Sequence, residues 1–137
     1  MSDVLVDTSI WIDFFRGNQV ANPLFDLIEN NQIITNDLIL AELIPSINRR
    51  KEEKLRDILL SVQKIELSIN WHEIISMQTM NLRSGNNNIG IPDLIIAQNA
   101  LHNELVLFEN DKHFQPMKEL FGLELLRHKR DLGTVNL

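Results

Sequence analysis

The sequence predicts an α/β fold with a mainly parallel central sheet sandwiched by helices. Short apolar runs without alternation, such as VLV at Val4–Val6 and LVLF at Leu105–Phe108, read as strands buried on both faces. Segments with helical spacing separate these runs, so strands and helices alternate. No hairpin signature such as Asn-Gly joins two strands, and parallel neighbours need a crossover instead.

The elements follow in order. Val4 to Val6 is the first strand, and Thr8 or Ser9 is placed to cap a helix running to about Arg16, which Gly17-Asn18 ends. Pro23 opens the helix PLFDLIEN, closed by Asn30-Asn31, and QIIT at Gln32–Thr35 is the second strand. Asn36 or Asp37 caps the long apolar helix DLILAELIPSIN, in which Pro45 kinks the chain or marks the last turns. Lys51 to Gln63 is amphipathic, with Leu55, Ile58, Leu59 and Val62 at helical spacing. KIELS at Lys64–Ser68 alternates as a strand. Asn70 caps a helix carrying Ile74, Ile75, Met77 and Met80, and SGNNNIG at Ser84–Gly90 is a loop. Pro92 starts the apolar helix PDLIIAQNALHN. Leu105 to Phe108 is a strand, with a turn at Glu109-Asn110-Asp111. Lys118 to Phe121 is a short helical piece, Leu123 to Leu126 a last strand, and a polar tail begins at Arg127.

A chain of 137 residues fits a single domain spanning 1–137, and needs no metal or disulfide merely to fold. The absence of cysteine excludes disulfides, thiolate metal sites and cysteine nucleophiles, and suits a reducing compartment. No basic residue precedes the first apolar stretch, and no apolar run approaches the ~20 residues that cross a bilayer. A cytoplasmic protein with no membrane association is the expectation. The net charge of −6 argues against a grip on nucleic acid by bulk charge. A nuclease stays compatible with it, because clustered acids can be neutralised by cations. The basic runs Arg49-Arg50-Lys51 and Arg127-His128-Lys129-Arg130 read as solvated faces.

The informative residues are isolated acids. Asp7 is the only charge between Asp3 and Asp13, Glu42 the only one between Asp37 and Arg49, and Asp93, with His102 set aside, the only one between Arg83 and Glu104. Asp7 ends the first strand, Asp111 follows the strand ending at Phe108 or Glu109, and Asp93 lies in the first turn of its helix. In a parallel sheet these positions share the edge where ligands bind. Taken singly, each aspartate reads as a cap for backbone amides. Glu42 lies mid-helix and has no such role. Buried acids need a partner, and no lysine or arginine lies near Asp7, Glu42 or Asp93 in sequence. A divalent cation supplies one, and hard oxygen ligands without Cys or His favour Mg²⁺ or Mn²⁺ over zinc. Such a centre binds a phosphate-bearing substrate, activates water and stabilises a leaving oxygen. With no Gly-rich phosphate loop, the chemistry indicated is phosphodiester hydrolysis.

Other residues read more plainly. None of His72, His102, His113 and His128 has metal-ligand spacing; His113 reads as a loop residue and His102 as a helix-end group. Trp11 and Trp71 read as core or dimer packing, Phe14 and Phe15 as core, and Asn86-Asn87-Asn88 as a loop near the site.

VLVDTSIWIDFF from Val4, AEL around Glu42, IPDLIIAQNA from Ile91 and FENDKHF from Phe108 occur in that order. Together, over Val4 to about Leu126, they resemble the PIN domain family, and more narrowly the VapC toxins of bacterial toxin–antitoxin modules. The resemblance implies a PIN-like fold and a metal-dependent endoribonuclease using Mg²⁺ or Mn²⁺. Its acidic quartet falls on Asp7, Glu42, Asp93 and Asp111, with Asp7 and Asp93 the firmest ligands, Asp111 helping to hold metal or water, and Glu42 acting through water. Thr8 takes the polar position after the first acid, with Ser9 as helix cap. The resemblance also implies an RNA substrate, a homodimer and inhibition by a VapB-type antitoxin. Glu109 departs from the family's usual Thr or Ser, and is either a fifth acid at the rim or a solvent-facing residue. The alternatives are a receiver-type phosphoacceptor domain and a PIN-like module that binds RNA or a partner without cleaving. A receiver needs an adjacent acid pair after its first strand. Here Asp7 is followed by Thr8-Ser9, and only Lys112 favours that alternative.

Overall fold

The computed structural model describes residues 3–126; the tail from Arg127, with its run Arg127-His128-Lys129-Arg130, lies outside the described residues. Strands β1 (Val4–Val6), β2 (Ile33–Thr35), β3 (Gln63–Lys64), β4 (Val106–Phe108) and β5 (Leu125–Leu126) form one sheet in the order β3-β2-β1-β4-β5. Every pairing is parallel, with Val4 opposite Ile33 and Val6 opposite Phe108. The unalternating VLV of β1 suits its place at the centre, where all three residues are buried. The helices are α1 (Thr8–Phe15), α2 (Pro23–Glu29), α3 (Asp37–Arg50), α4 (Glu53–Ser61), α5 (Trp71–Arg83), α6 (Ile91–His102) and α7 (Gln115–Phe121). Two short 3-10 turns, Gln19–Ala21 and Lys112–Phe114, complete the described chain. Among the described residues no helix is long and apolar enough to cross a membrane.

The alternating stretch after α4 pairs less than its pattern predicts. β3 is only Gln63–Lys64, and Ile65 N–H adds one bond to Thr35 O at 3.0 Å. Ile65, Leu67 and Ile69 still turn inward while Glu66, Ser68 and Asn70 face out. The ladder stops because its partner stops: β2 ends at Thr35, and Asn36 turns the chain into α3 by accepting Ile39 N–H at 2.9 Å. Side chains of α6 take over the freed backbone groups. Asn99 Nδ2 donates to Glu66 O, and Gln98 both accepts from Asn70 N–H and donates to Asn70 O.

Other boundaries move for local reasons. α3 runs through Pro45 to Arg50 and ends where Lys51 turns left-handed at φ 57°. This shortens the next helix to Glu53–Ser61. Pro116 sits in the first turn of α7, so that helix starts at Gln115 rather than Lys118. Gly122 caps α7 at φ 75°, and only Leu125–Leu126 of the expected last strand pairs with β4. Arg49, Arg50 and Lys51 are exposed, as a solvated face requires.

α6 is buried at every position from Leu94 to Ala100. Its two polar residues in that run are satisfied, Asn99 Oδ1 accepting from Asn36 Nδ2 at 2.9 Å and Gln98 meeting Asn70 and Glu73. α6 is thereby fixed to the N-terminus of α3. The strand order sends the chain outward from β1 to β3 and then back across to β4. The reversal lies between β1 and β4, the crevice in which open α/β sheets bind ligands. A receiver domain has the order 2-1-3-4-5; the order here excludes it.

Candidate metal centre

Asp7 follows β1 directly. Its N–H donates to Phe108 O at 2.9 Å, extending the β1–β4 ladder by one bond and setting its carboxylate at the switch point. Asp7 is itself the N-cap of α1, in place of Thr8 or Ser9: Oδ2 accepts Ser9 N–H at 3.1 Å and the Ser9 hydroxyl at 2.6 Å. Ser9 Oγ in turn accepts Asn110 N–H at 3.0 Å, while Asn110 Nδ2 donates to Asp13 Oδ2 at 2.9 Å. These contacts tie α1 to the loop after β4. Only 4% of Asp7 is exposed. Burial pushes its carboxyl up to about 6; the Ser9 bonds oppose that rise and the charge of Asp93 adds to it.

Asp93 lies in the first turn of α6, as expected. Its carboxyl is raised first by burial and then by the charge of Asp111, with His113 acting in the opposite direction. Asp111 caps the 3-10 turn Lys112–Phe114, its Oδ1 accepting His113 N–H at 3.0 Å. The chain folds here because Phe114 is fully buried and pulls the turn against the core.

Glu109 points inward. It is buried, its Oε2 accepts Asp111 N–H at 2.7 Å, and burial raises its carboxyl. The negative charges of Asp7 and Asp111 add to that rise. A sequence pattern cannot distinguish a solvent-facing glutamate from this one, because the turn after Phe108 decides which way residue 109 faces. Glu42 stands apart. It is exposed on α3 and accepts the Thr8 hydroxyl on Oε1 at 3.0 Å, so it joins the group through the neighbour of Asp7.

His113 is the residue that spacing did not single out. Its Nδ1 lies 3.2 Å from Asp93 Oδ2 and 3.1 Å from Asp111 Oδ1. Asp93, Asp111 and His113 bring one donor atom each within 4.8 Å of one another. The signal lay in the i, i+2 step from Asp111 to His113 across a capped turn, which has no place in helical or strand templates. His102, by contrast, pairs with Glu73 at 2.8 Å, a satisfied helix-end group. Trp11 is core, whereas Trp71 is exposed.

The donors fit a divalent cation. Carboxylates converge at a partly dry edge, and among the described residues no lysine or arginine pairs with any of them. The Nδ1 of His113 is buried and makes no hydrogen bond of acceptable angle. Mutually repelling acids with an imidazole nitrogen among them are an arrangement that a positively charged ion relieves.

The family model described as PIN domain matches residues 4–120. No curated protein sequence matches the chain. Among solved structures, VapBC-1 from nontypeable Haemophilus influenzae is 26% identical, with a TM-score of 0.64 over 90% of this chain and 96% of that one. VapBC2 from Rickettsia felis, bound to a DNA fragment from their promoter, is 22% identical, with a TM-score of 0.69 over 92% of this chain and 98% of that one. A toxin–antitoxin complex from Klebsiella pneumoniae is 23% identical, with a TM-score of 0.62 over 91% of this chain and 97% of that one.

Proposed function

The chain belongs to the PIN domain family, and on that premise we propose that it acts as a single-domain endoribonuclease toxin, dependent on Mg²⁺ or Mn²⁺ and restrained by an antitoxin in the cytoplasm. The observation that carries this reading is the convergence of Asp93, Asp111 and His113, one donor atom each within 4.8 Å, with the buried Asp7 at the adjoining end of β1 feeling the charge of Asp93, and with no lysine or arginine among the described residues paired to these acids.

Asp7, Asp93 and Asp111 would hold the ion, and Glu42 would act on it through water. A divalent ion bound there supplies positive charge to a phosphodiester and lowers the pKa of an attacking water. The protein's own part is positioning. Ser9 fixes the Asp7 carboxylate by two bonds, Thr8 holds Glu42 near it, and Glu109 orients the Asp111 backbone through its N–H. Restraints of this kind keep charged groups from rearranging as negative charge develops on the phosphate.

Two surfaces support the proposed partners. A cleft between α1 and α3, lined by Ile12, Phe15, Leu43, Arg16, Arg50 and Glu42, reaches the site only at Glu42. Its apolar walls and two arginines suit an antitoxin segment reaching the site. On α5, Trp71, Ile75 and Leu82 lie on one helical face and are 56%, 66% and 54% exposed. Large apolar side chains in one exposed row are suited to a homodimer contact.

The test is incubation of the purified chain with total RNA and Mn²⁺ or Mg²⁺, with and without EDTA. Cleavage that EDTA abolishes is expected. Binding of RNA with no cleavage under any metal would favour the non-cleaving alternative.

A further inference from the structure

The donor set at the switch point contains one member that is not an oxygen. His113 is held by two features of its own turn: its N–H bonds to Asp111 Oδ1 at 3.0 Å, and the next residue, Phe114, is fully buried. The ring therefore projects toward Asp93 and Asp111. Nδ1 is shielded from solvent and 3.1 to 3.2 Å from an oxygen of each, yet its angles to them satisfy no hydrogen bond. Its position serves a different bond. An imidazole lone pair converging with two carboxylate oxygens, all within 4.8 Å of one another, is the layout of ligands around one ion.

We propose that His113 is a direct ligand, through Nδ1, of the divalent ion held by Asp93 and Asp111, and that this nitrogen favours Mn²⁺ over Mg²⁺. The inference rests on the metal-dependent reading above. Mg²⁺ prefers an all-oxygen octahedron and gives up its waters reluctantly, whereas first-row transition ions accept imidazole readily. Lys112 precedes His113 and is exposed, so its ammonium does not occupy the ligand position.

The test is pulsed EPR on the wild-type chain loaded with Mn²⁺, which needs no variant to fold. A directly bound imidazole couples its ¹⁴N nucleus to the Mn²⁺ electron spin, and labelling histidine with ¹⁵N changes that modulation. Calorimetric titration of His113→Gln is the second measurement. Mn²⁺ affinity is expected to fall about tenfold or more, and Mg²⁺ affinity by less. Bound Mn²⁺ without nitrogen coupling, together with unchanged Mn²⁺ affinity in His113→Gln, overturns the ligand role and leaves the acid centre standing. If neither ion binds the wild-type chain at millimolar concentration, the metal-dependent reading fails and this inference falls with it.

Discussion

The Ser9 hydroxyl donates to Asp7 Oδ2 at 2.6 Å and accepts Asn110 N–H at 3.0 Å, so one side chain joins the end of β1 to the loop after β4. It thereby sets the position of Asp7 relative to Asp111, two residues far apart in sequence. Ser9→Ala keeps the Asp7 bond to the residue 9 amide and loses both hydroxyl bonds. Outer partners of ligating carboxylates affect metal affinity by about 10–100-fold when removed. Ser9→Ala is expected to weaken metal binding by about tenfold while the far-UV spectrum stays native, and calorimetry checks it. Unaltered affinity would show that the backbone alone positions Asp7.

Asp7 gives the protein a pH dependence of definite sign. Its folded carboxyl titrates at about 6, against an unfolded value near 3.8. The folded state therefore holds a proton that the unfolded chain has released. In the absence of metal, stability falls as pH rises from about 4 through about 6, by roughly 3 kcal/mol for this group. Asp93 and Glu109 are shifted in the same direction and contribute with the same sign. Asn caps helices as well as Asp does. Asp7→Asn should therefore raise the Tm of the metal-free chain at pH 7.5, and that gain should vanish by about pH 4. Thermal unfolding in EDTA across this range is the check, and a variant less stable than wild type at pH 7.5 would contradict the shift.

Glu109→Gln keeps an acceptor for Asp111 N–H and removes a negative charge beside Asp7 and Asp111. It should also stabilise the metal-free chain at neutral pH, by less than Asp7→Asn, and alter RNA cleavage by less than about tenfold, since the other acids remain. Melting curves and cleavage rates for the one variant test both statements. Loss of activity as complete as in Asp93→Asn would make Glu109 a ligand.

The exposed row on α5 makes a separate prediction. Ile75→Asp places a charge in the middle of Trp71, Ile75 and Leu82. If these residues join two copies, the variant should elute as a monomer under conditions where the wild type is a dimer, as light scattering after gel filtration reads directly. A wild-type monomer, or a variant that remains dimeric, removes α5 from the contact.

Much of this was legible in the sequence because a buried parallel strand leaves an unmistakable trace. VLV and the apolar run of α6 place the sheet and its central helix, and the isolation of Asp7 and Asp93 marks where charge enters it. The lost information is where pairing depends on a neighbour. Lys64–Ser68 alternates as a strand should, yet pairing stops after Lys64 because β2 has already ended. His113 and Glu109 were obscured for a related reason. Their directions are set by the short turn after β4, through Asp111 accepting one N–H and donating another. A short irregular turn has no repeating period to reveal which way its side chains face.

The central claim is that acids from β1, α6 and the turn after β4 hold one cation. Calorimetric titration of Mn²⁺ and Mg²⁺ into the wild-type chain, Asp7→Asn and Asp93→Asn tests it most directly. Saturable binding to the wild type, lost or greatly weakened in both folded variants, is the expected result. Binding to Asp93→Asn with wild-type affinity, or none to the wild-type chain, would contradict it.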